Sequence, residues 1–150
     1  MFFLKEYKAK TIKAPDIFSN RKRILSSENK NLIYLLDKRF VWMKKYLKRK
    51  KIIVELGSGN GCIKKIIKNK KIILTDITKY PWINKKVDML KVNLGKKYLK
   101  KVDIFIINHS LHHCANPGAT LKKMSFYLKK NGYILINEPE TSFFLKLIQV

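Results

Sequence analysis

Acids are scarce in this chain. Ten of its 150 residues are Asp or Glu, against 34 Lys and Arg, which leaves a formal net charge of +24 at pH 7. Such a surface attracts anions and makes their binding salt-sensitive. Arginine is scarce too: Arg21, Arg23, Arg39 and Arg49 are the only ones. Nucleic-acid sites lean on Arg for bidentate contacts, so a charge carried almost wholly by Lys is a weaker sign of a nucleic-acid reader than its size suggests. Lys, Ile and Asn, all abundant here, are also the residues that A/T-rich codons encode. Cysteine is limited to Cys62 and Cys114. They lie far apart, which argues against paired metal ligands and favours reduced, structural thiols. No apolar run reaches the roughly 20 residues of a membrane span, and the apolar patch within Met1–Lys10 is too short for a secretion signal. A cytoplasmic location is the expectation. Internal repeats and low-complexity linkers are lacking, and 150 residues suffice for one domain with a real core.

Glycine is limited to six residues, yet Gly57, Gly59 and Gly61 fall in one pentapeptide. They close the run I-I-V-E-L-G-S-G-N-G at 52–61. A short β-branched strand, Ile52–Leu56, leads into a glycine loop. Helical spacing follows from Cys62 to Asn69, with Ile63, Ile66 and Ile67 on one face. Strand, glycine loop and helix make a ligand-holding device. Glycine lets the backbone turn sharply and approach a bound group, and a helix start offers unpaired N–H groups.

Upstream, residues 1–20 are weakly patterned. Pro15 and Ser19-Asn20 read as loop, so an irregular arm or a short helix is expected there. Ser26 or Ser27 is a candidate cap for a long amphipathic helix over 28–48. Its apolar face is Leu32, Leu35, Leu36, Phe40, Met43 and Leu47, and Lys38, Arg39, Lys44, Lys45 and Lys48 fall mostly on its other faces. Residues 1–49 are thus read as an N-terminal arm and helix covering the site carried by residues 50–150.

Downstream, strands and helices alternate. Strands are expected at 71–75, at 87–92 (or an extended segment), at 102–108 and at 133–137. Val102–Asn108 is almost continuously apolar, as a buried parallel strand is. A brief helical turn or loop fills Leu94–Lys101. Pro117 opens a helix with Ala119, Leu121, Met124, Tyr127 and Leu128 inward, and Asn131-Gly132 stops it. This alternation predicts the α/β class: a Rossmann-like, doubly wound parallel sheet of order 3-2-1-4-5, preceded by the amphipathic helix. Ligands bind such sheets at the carboxyl ends of the strands, beside the switch point between strands one and four. The glycine loop, Asp76, Asp88 and the loop His109–Asn116 all reach that end. With so few acids, Glu55, Asp76, Asp88 and Glu138 at strand ends each raise a functional question. Asp103, at a strand start, reads as structural or solvated.

Gly57, Gly59 and Gly61 depart from the G-x-G-x-x-G of nicotinamide and flavin sites, because position 62 is Cys. A nicotinamide oxidoreductase is therefore a distant alternative. E-L-G-S-G-N-G is followed by T-D-I at 75–77, V-D-M-L at 87–90, I-I-N-H-S-L-H-H at 106–113 and L-K-K-N-G-Y-I-L-I-N-E-P at 128–139. In this ordered set, over about residues 50–140, the chain resembles the class I S-adenosylmethionine-dependent methyltransferases. The resemblance implies S-adenosylmethionine as cofactor and methyl transfer as the reaction. It implies Gly57, Ser58, Gly59 and Gly61 against the methionine part and the sugar, and Glu55 on the ammonium, directly or through water. Asp76 would accept both ribose hydroxyls, with Ile77 in the same cofactor-binding set; a carboxylate's two oxygens suit a vicinal diol. Asp88 would accept from the adenine amino group with Met89 on the ring. Asn108 and His109 would lie near the methionine end and the transferred methyl.

On the acceptor side, His109, His112 and Glu138 are the catalytic candidates, a histidine as general base on the acceptor and Glu138 facing it. His109, His112, His113 and Cys114 invite a zinc reading. Adjacent His112 and His113 point apart, however, and structural zinc takes four ligands in spaced pairs, so no metal is expected. A small-molecule acceptor is the leading reading. The alternatives are RNA or another polyanion on the Lys-rich surface, and a cofactor-binding protein without catalysis. The family's sheet has seven strands, the last two forming an antiparallel edge, and this chain has room for five. The final antiparallel strands are expected to be missing and apolar Phe143–Val150 to want a partner. Truncation, loss of activity and a homodimer through the exposed sheet edge all stay open.

Overall fold

A computed structural model describes residues 14–26, 30–48, 52–67 and 72–138. Its centre is β1 (Ile53–Leu56), buried along its whole length. It runs parallel to β2 (Ile72–Asp76) on one side and β4 (Val102–Asn108) on the other, with Ile53 opposite both Ile72 and Ile104. The two-residue β3 (Lys85–Lys86) extends the sheet beyond β2, and β5 (Leu128–Asn137) lies beyond β4. All pairings are parallel and the order is β3-β2-β1-β4-β5, the expected 3-2-1-4-5. All described loops that leave the carboxyl ends of β1, β2 and β4 therefore meet at one edge.

Side chains alternate along each strand, and both faces are covered. Ile53, Ile72, Leu74, Ile104 and Ile106 pack under α2 (Lys30–Val41), α3 (Lys44–Leu47) and α4 (Ile63–Ile66), through Leu36, Phe40, Leu47, Ile63 and Ile66. Val54, Leu56, Phe105 and Ile107 pack on the other face with Val87, Leu94 and Met124 of α5 (Pro117–Ser125). Pro117 sits in the first turn of α5, and Asn116 caps it, its Oδ1 accepting from the Ala119 N–H at 2.9 Å. Asp103 is a structural acid: buried, it accepts from the Ile52 N–H at 2.9 Å and pairs with Lys129.

The structure corrects several sequence expectations. A regular helix α1 (Ala14–Leu25) runs straight through Ser19-Asn20, and Pro15 falls in its first turn, where no proline N–H is needed. Ser26 closes α1, its Oγ donating to the Arg23 carbonyl at 3.0 Å; Ser27 and Glu28 lie outside the described residues. The long helix over 28–48 is two helices, because Met43 turns inward with an i→i+3 bond to the Phe40 carbonyl and is fully buried. Its stripe is rotated: Leu36, Phe40, Met43 and Leu47 are buried, but Leu35 is 63% exposed. The helix after the glycine loop is one turn long, so it carries little dipole. The third strand is Lys85–Lys86, and of Val87–Val92 residues 89–91 form a turn. Helix α5 ends at Ser125, and Leu128 already pairs with Val102. Asn131, at φ +63°, lies in an irregularity where Asp103 alone stands opposite residues 129–132. Among the described residues β5 is the outermost strand on its side; Phe143–Val150 and Asn69 lie outside them.

Phe40→Ala should cost about 3–5 kcal/mol by leaving a cavity between α2 and the sheet. Leu35→Ala, on the same helix, should change stability by less than about 0.5 kcal/mol. Urea unfolding midpoints of the two variants check this register; equal losses would contradict it.

Candidate functional site

The glycine loop begins where β1 ends. Gly57, Gly59 and Gly61 adopt φ of +67°, +48° and +66°, a region that residues with a side chain seldom occupy. The loop is stitched to β2. The Ser58 N–H donates to the Thr75 carbonyl at 2.9 Å, and the buried Ser58 Oγ accepts from the Thr75 N–H at 3.1 Å. The Glu55 carbonyl accepts from Thr75 Oγ1 at 2.7 Å and from Ser58 Oγ at 3.2 Å. The glycines are not equivalent. A Cβ on Gly57 would stand 2.6 Å from Ser110 Cβ, and one on Gly61 would meet Leu74, Trp82 and Arg21 at 2.9–3.1 Å. A Cβ on Gly59 would meet nothing within 4 Å. Gly59 is thus the point where the loop faces open space.

Asp76 closes this loop from β2. Its Oδ2 accepts from the Gly59 N–H at 2.8 Å and its Oδ1 from the Thr78 N–H at 3.0 Å. A carboxylate has about four lone-pair positions, so each oxygen keeps one to offer. The Val87 N–H donates to the Asp76 carbonyl at 2.8 Å, which sets Asp88 close by. Asp88 shapes its own turn, Oδ1 accepting from the Leu90 N–H at 2.8 Å. Met89 points its sulfur at the loop, 3.4 Å from a Cβ built on Gly57, and its carbonyl accepts from Thr120 Oγ1 at 3.1 Å. Ile77, beside Asp76, is 61% exposed.

The third wall follows β4. Asn108 Oδ1 accepts from Asn137 Nδ2 at 2.8 Å, and His109, at φ +51°, donates its N–H to the Asn137 carbonyl at 2.8 Å. Burial, helped by the Arg39 charge, holds the His109 imidazole below its usual range and so favours its neutral form. Glu138 organises the loop beyond. Its Oε1 accepts from the Ser110 and Leu111 N–H groups at 2.8 and 2.7 Å, and its Oε2 meets His112 Nδ1 at 2.5 Å. Burial pushes the Glu138 carboxyl up, but hydrogen bonds from His112, Leu111 and Ser110 outweigh it and hold the carboxyl below its usual value. His112 Nε2 is then the ring nitrogen not engaged by Glu138. Ser110 joins the walls, its buried Oγ donating to the Leu56 carbonyl at 3.1 Å beside Gly57. Among the described residues no group of three or more His, Cys, Asp or Glu is placed to hold a metal ion, and no helix is long and apolar enough to cross a membrane.

A family model described as a methyltransferase domain matches residues 27–149. The chain belongs to that family. Its fold is that of solved S-adenosylmethionine-dependent enzymes. It is similar to a SAM-dependent methyltransferase from Archaeoglobus fulgidus, at 22% identity and TM-score 0.65, covering 87% of this chain and 62% of that one. It is similar to another from Aquifex aeolicus, at 16% identity and TM-score 0.60, covering 83% and 73%. A third likeness is to a putative S-adenosyl-L-methionine-dependent methyltransferase from Methanococcus maripaludis, at 10% identity and TM-score 0.58, covering 93% and 71%. The chain spans 62% of the Archaeoglobus protein's length and 73% of the Aquifex protein's. No curated protein matches it.

In this methyltransferase domain Gly59 is tied to Asp76 and Gly57 lies against Met89 and Ser110, with Glu55 buried in β1 just before the loop and Asn108 and His109 at the end of β4. The structure adds residues that the sequence reading did not single out: Thr75 and Ser110 as hydroxyl stitches, and Arg21 and Trp82 against the loop. Thr75 and Ser110 sat within the T-D-I and I-I-N-H-S-L-H-H runs and had a signal; Arg21 and Trp82 had none, being 39 and 23 positions from the backbone atoms they bond.

The most unusual group is Glu55. It is 3% exposed, and its Oε2 is the described buried side-chain oxygen without a hydrogen-bond partner. Burial raises its carboxyl to about 8, with the Asp76 charge adding to the shift and a Ser58 hydrogen bond opposing it. The same burial pushes the Cys62 thiol up to about 12, leaving it unreactive. For Glu55 the folded protein holds a proton that the unfolded chain, near 4.5, has released. Stability from this group is therefore fully present below about pH 4.5 and is lost as pH rises through about 8. Glu55→Gln should remove that slope. Relative to wild type, its unfolding free energy should rise between pH 5 and 8 by roughly a few kcal/mol. Urea unfolding at the two pH values checks it; a constant difference would contradict it.

Proposed function

We propose that the chain binds S-adenosylmethionine in the glycine-loop cleft and transfers its methyl group to a small-molecule acceptor. One observation carries the reading: a buried carboxyl with an unpartnered oxygen lies at the end of β1, where a left-handed glycine loop opens at Gly59. An acid kept neutral there gains most from a cation. The ammonium of the cofactor's methionine part supplies one, and ionising beside it would repay the desolvation of Glu55. The remaining groups fit the rest of the molecule. Asp76 keeps an acceptor position on each oxygen for the ribose hydroxyls, and exposed Ile77 offers an apolar surface beside them. Met89 and Asp88 flank the adenine position. Gly57, Ser58 and Gly61 hold the loop's shape, and Gly59 is where backbone and ligand meet.

When bound, the sulfonium supplies an electrophilic methyl group. The protein's part is to align the acceptor, exclude water and take a proton where the nucleophile carries one. Asn108 and His109 stand toward the methionine end. His112 and Glu138 form the acceptor side: Glu138 fixes Nδ1, so Nε2 is presented as a base, and Glu138 stabilises the imidazolium that forms. The neutral form favoured at His109 suits a hydrogen-bonding or basic role.

S-adenosylhomocysteine should raise the melting temperature of the full chain, by about 2.7 kcal/mol of added stability at a hundredfold excess over Kd. Asp76→Ala should weaken its binding about tenfold or more. Glu138→Gln should leave that binding within about twofold while lowering turnover of any acceptor found by screening, by roughly 10²–10⁴. Folded wild type that shows no thermal shift at millimolar ligand would sink the cofactor reading.

A second reading, methylation of RNA, draws on a surface that the fold assembles. Trp42, Tyr46 and Tyr133 follow one another with ring centroids 6.2 and 5.8 Å apart, and Lys45 lies 4.9 Å over Tyr46. Alongside, Lys38 stands 5.2 Å over Tyr34. Aromatic rings interleaved with cations suit stacked single-stranded bases. Under this reading, Trp42→Ala with Tyr46→Ala weakens a single-stranded oligonucleotide by about tenfold at high salt, measured by fluorescence polarisation. Binding that vanishes with salt and ignores the substitution would reject it.

A further inference from the structure

Two side chains that the proposed chemistry does not use reach the glycine loop, Arg21 from α1 and Trp82 from the turn between β2 and β3. Arg21 donates from Nη1 to the Asn60 carbonyl at 2.5 Å, and its guanidinium lies 4.4 Å over the Trp82 ring. Trp82 donates from Nε1 to the Gly59 carbonyl at 2.8 Å. The ring is itself fixed. It stacks on Tyr80 at 5.2 Å and 11°, and Phe18 of α1 packs edge-on against both rings, at 6.0 Å from Tyr80 and 5.1 Å from Trp82. Phe18 and Arg21 stand one helical turn apart, so α1 presents both to the same cluster.

Gly59 is the residue with most freedom to lose its shape. It has no side chain, stands at φ +48° and borders open space. Yet both its backbone polar groups are taken, from opposite partners: the N–H by Asp76 at 2.8 Å and the carbonyl by Trp82 at 2.8 Å. A rotation of either flanking peptide breaks one of these bonds. The next carbonyl, of Asn60, is held by Arg21. Trp82 and Arg21 also fill the space a Gly61 side chain would need, at 3.0 and 3.1 Å.

We propose that Arg21 and Trp82 are positioning residues for the cofactor: they clamp α1 onto the glycine loop and hold the Gly59 peptide, with Asp76, in its ligand-facing orientation. The proposal rests on the reading of this cleft as the S-adenosylmethionine site. It makes the N-terminal helix part of that site although α1 precedes the matched family segment, residues 27–149. It also makes Trp82 an internal reporter, since Trp42 is the only other tryptophan.

The test uses the full chain and S-adenosylhomocysteine as probe. Arg21→Ala should lower its calorimetric affinity about tenfold, the loss of one charged hydrogen bond and one cation–π contact. Arg21→Lys, which keeps a cation over the ring, should recover part of it. Arg23→Ala, which removes the same charge from the same helix, should leave affinity within about twofold. In a Trp42→Phe background, Trp82 emission should shift on binding, a readout that a merely stabilising contact would not move. Wild type that binds no probe overturns the cofactor reading and this inference with it. Wild type and Arg21→Ala that bind equally overturn the inference alone. If Arg21→Ala does not fold, the emission of the Trp42→Phe protein decides: calorimetric binding with silent Trp82 overturns the clamp.

Discussion

The bond from the Gly59 N–H to the Asp76 carboxylate joins the ends of two parallel strands, and the shape of the glycine loop depends on it. At 2.8 Å it holds the tip of the loop after β1 against the last residue of β2. It requires Gly59 to present its N–H sideways, which the left-handed conformation allows. Ser58 and Thr75 set the distance by exchanging backbone and hydroxyl hydrogen bonds beneath it. Without this stitching, three glycines in five residues would leave the loop a broad ensemble. With it, the loop has one shape and one open face.

A second constraint follows. Because β1 lies between β2 and β4, its carboxyl end is walled on both sides. Glu55, sharing the parity of Ile53, points into the face covered by the helices and is shut from water. A carboxyl raised to about 8 destabilises the folded protein at higher pH. A chain with ten acids keeps one of them in that position. Under the proposed reading, that cost is preorganisation for the cation of the cofactor's methionine part. The opposite wall is arranged differently. Glu138 has partners on both oxygens, two N–H groups on Oε1 and a histidine ring on Oε2, and serves as the hub on which the loop after β4 is hung.

How far the sequence could be read depended on how each element is stabilised. Val102–Asn108 was legible to the residue, because a strand buried on both faces is a continuous apolar run. The glycine loop was legible because its conformation demands glycine. By contrast, Lys85-Lys86 carries no strand pattern, and its pairing comes from the Asp76 end of β2. Helix α1 contains Ser and Asn in its middle, so local propensity spoke against it. Contacts of Phe18, Arg21 and Ile24 with distant residues outweigh that preference. The break after Val41 was hidden for the same reason: the apolar period continues through Met43, while packing against the sheet turns the chain there.

What the sequence by itself determined is the order of strands, the end of the sheet where the glycine loop and the loop after β4 converge, and the identity of the groups at strand ends. These follow from periodicity, from the handedness of parallel crossovers and from residues whose backbone angles admit few substitutes. Only the tertiary structure decided which glycine faces open space, which carboxyl is buried with an unpartnered oxygen and which has partners on both oxygens, and which part of the N-terminal region touches the loop. Those are properties of distances between residues far apart in the chain. Arg21 and Asn60, or Leu111 and Glu138, become partners only once the sheet has brought its carboxyl ends together.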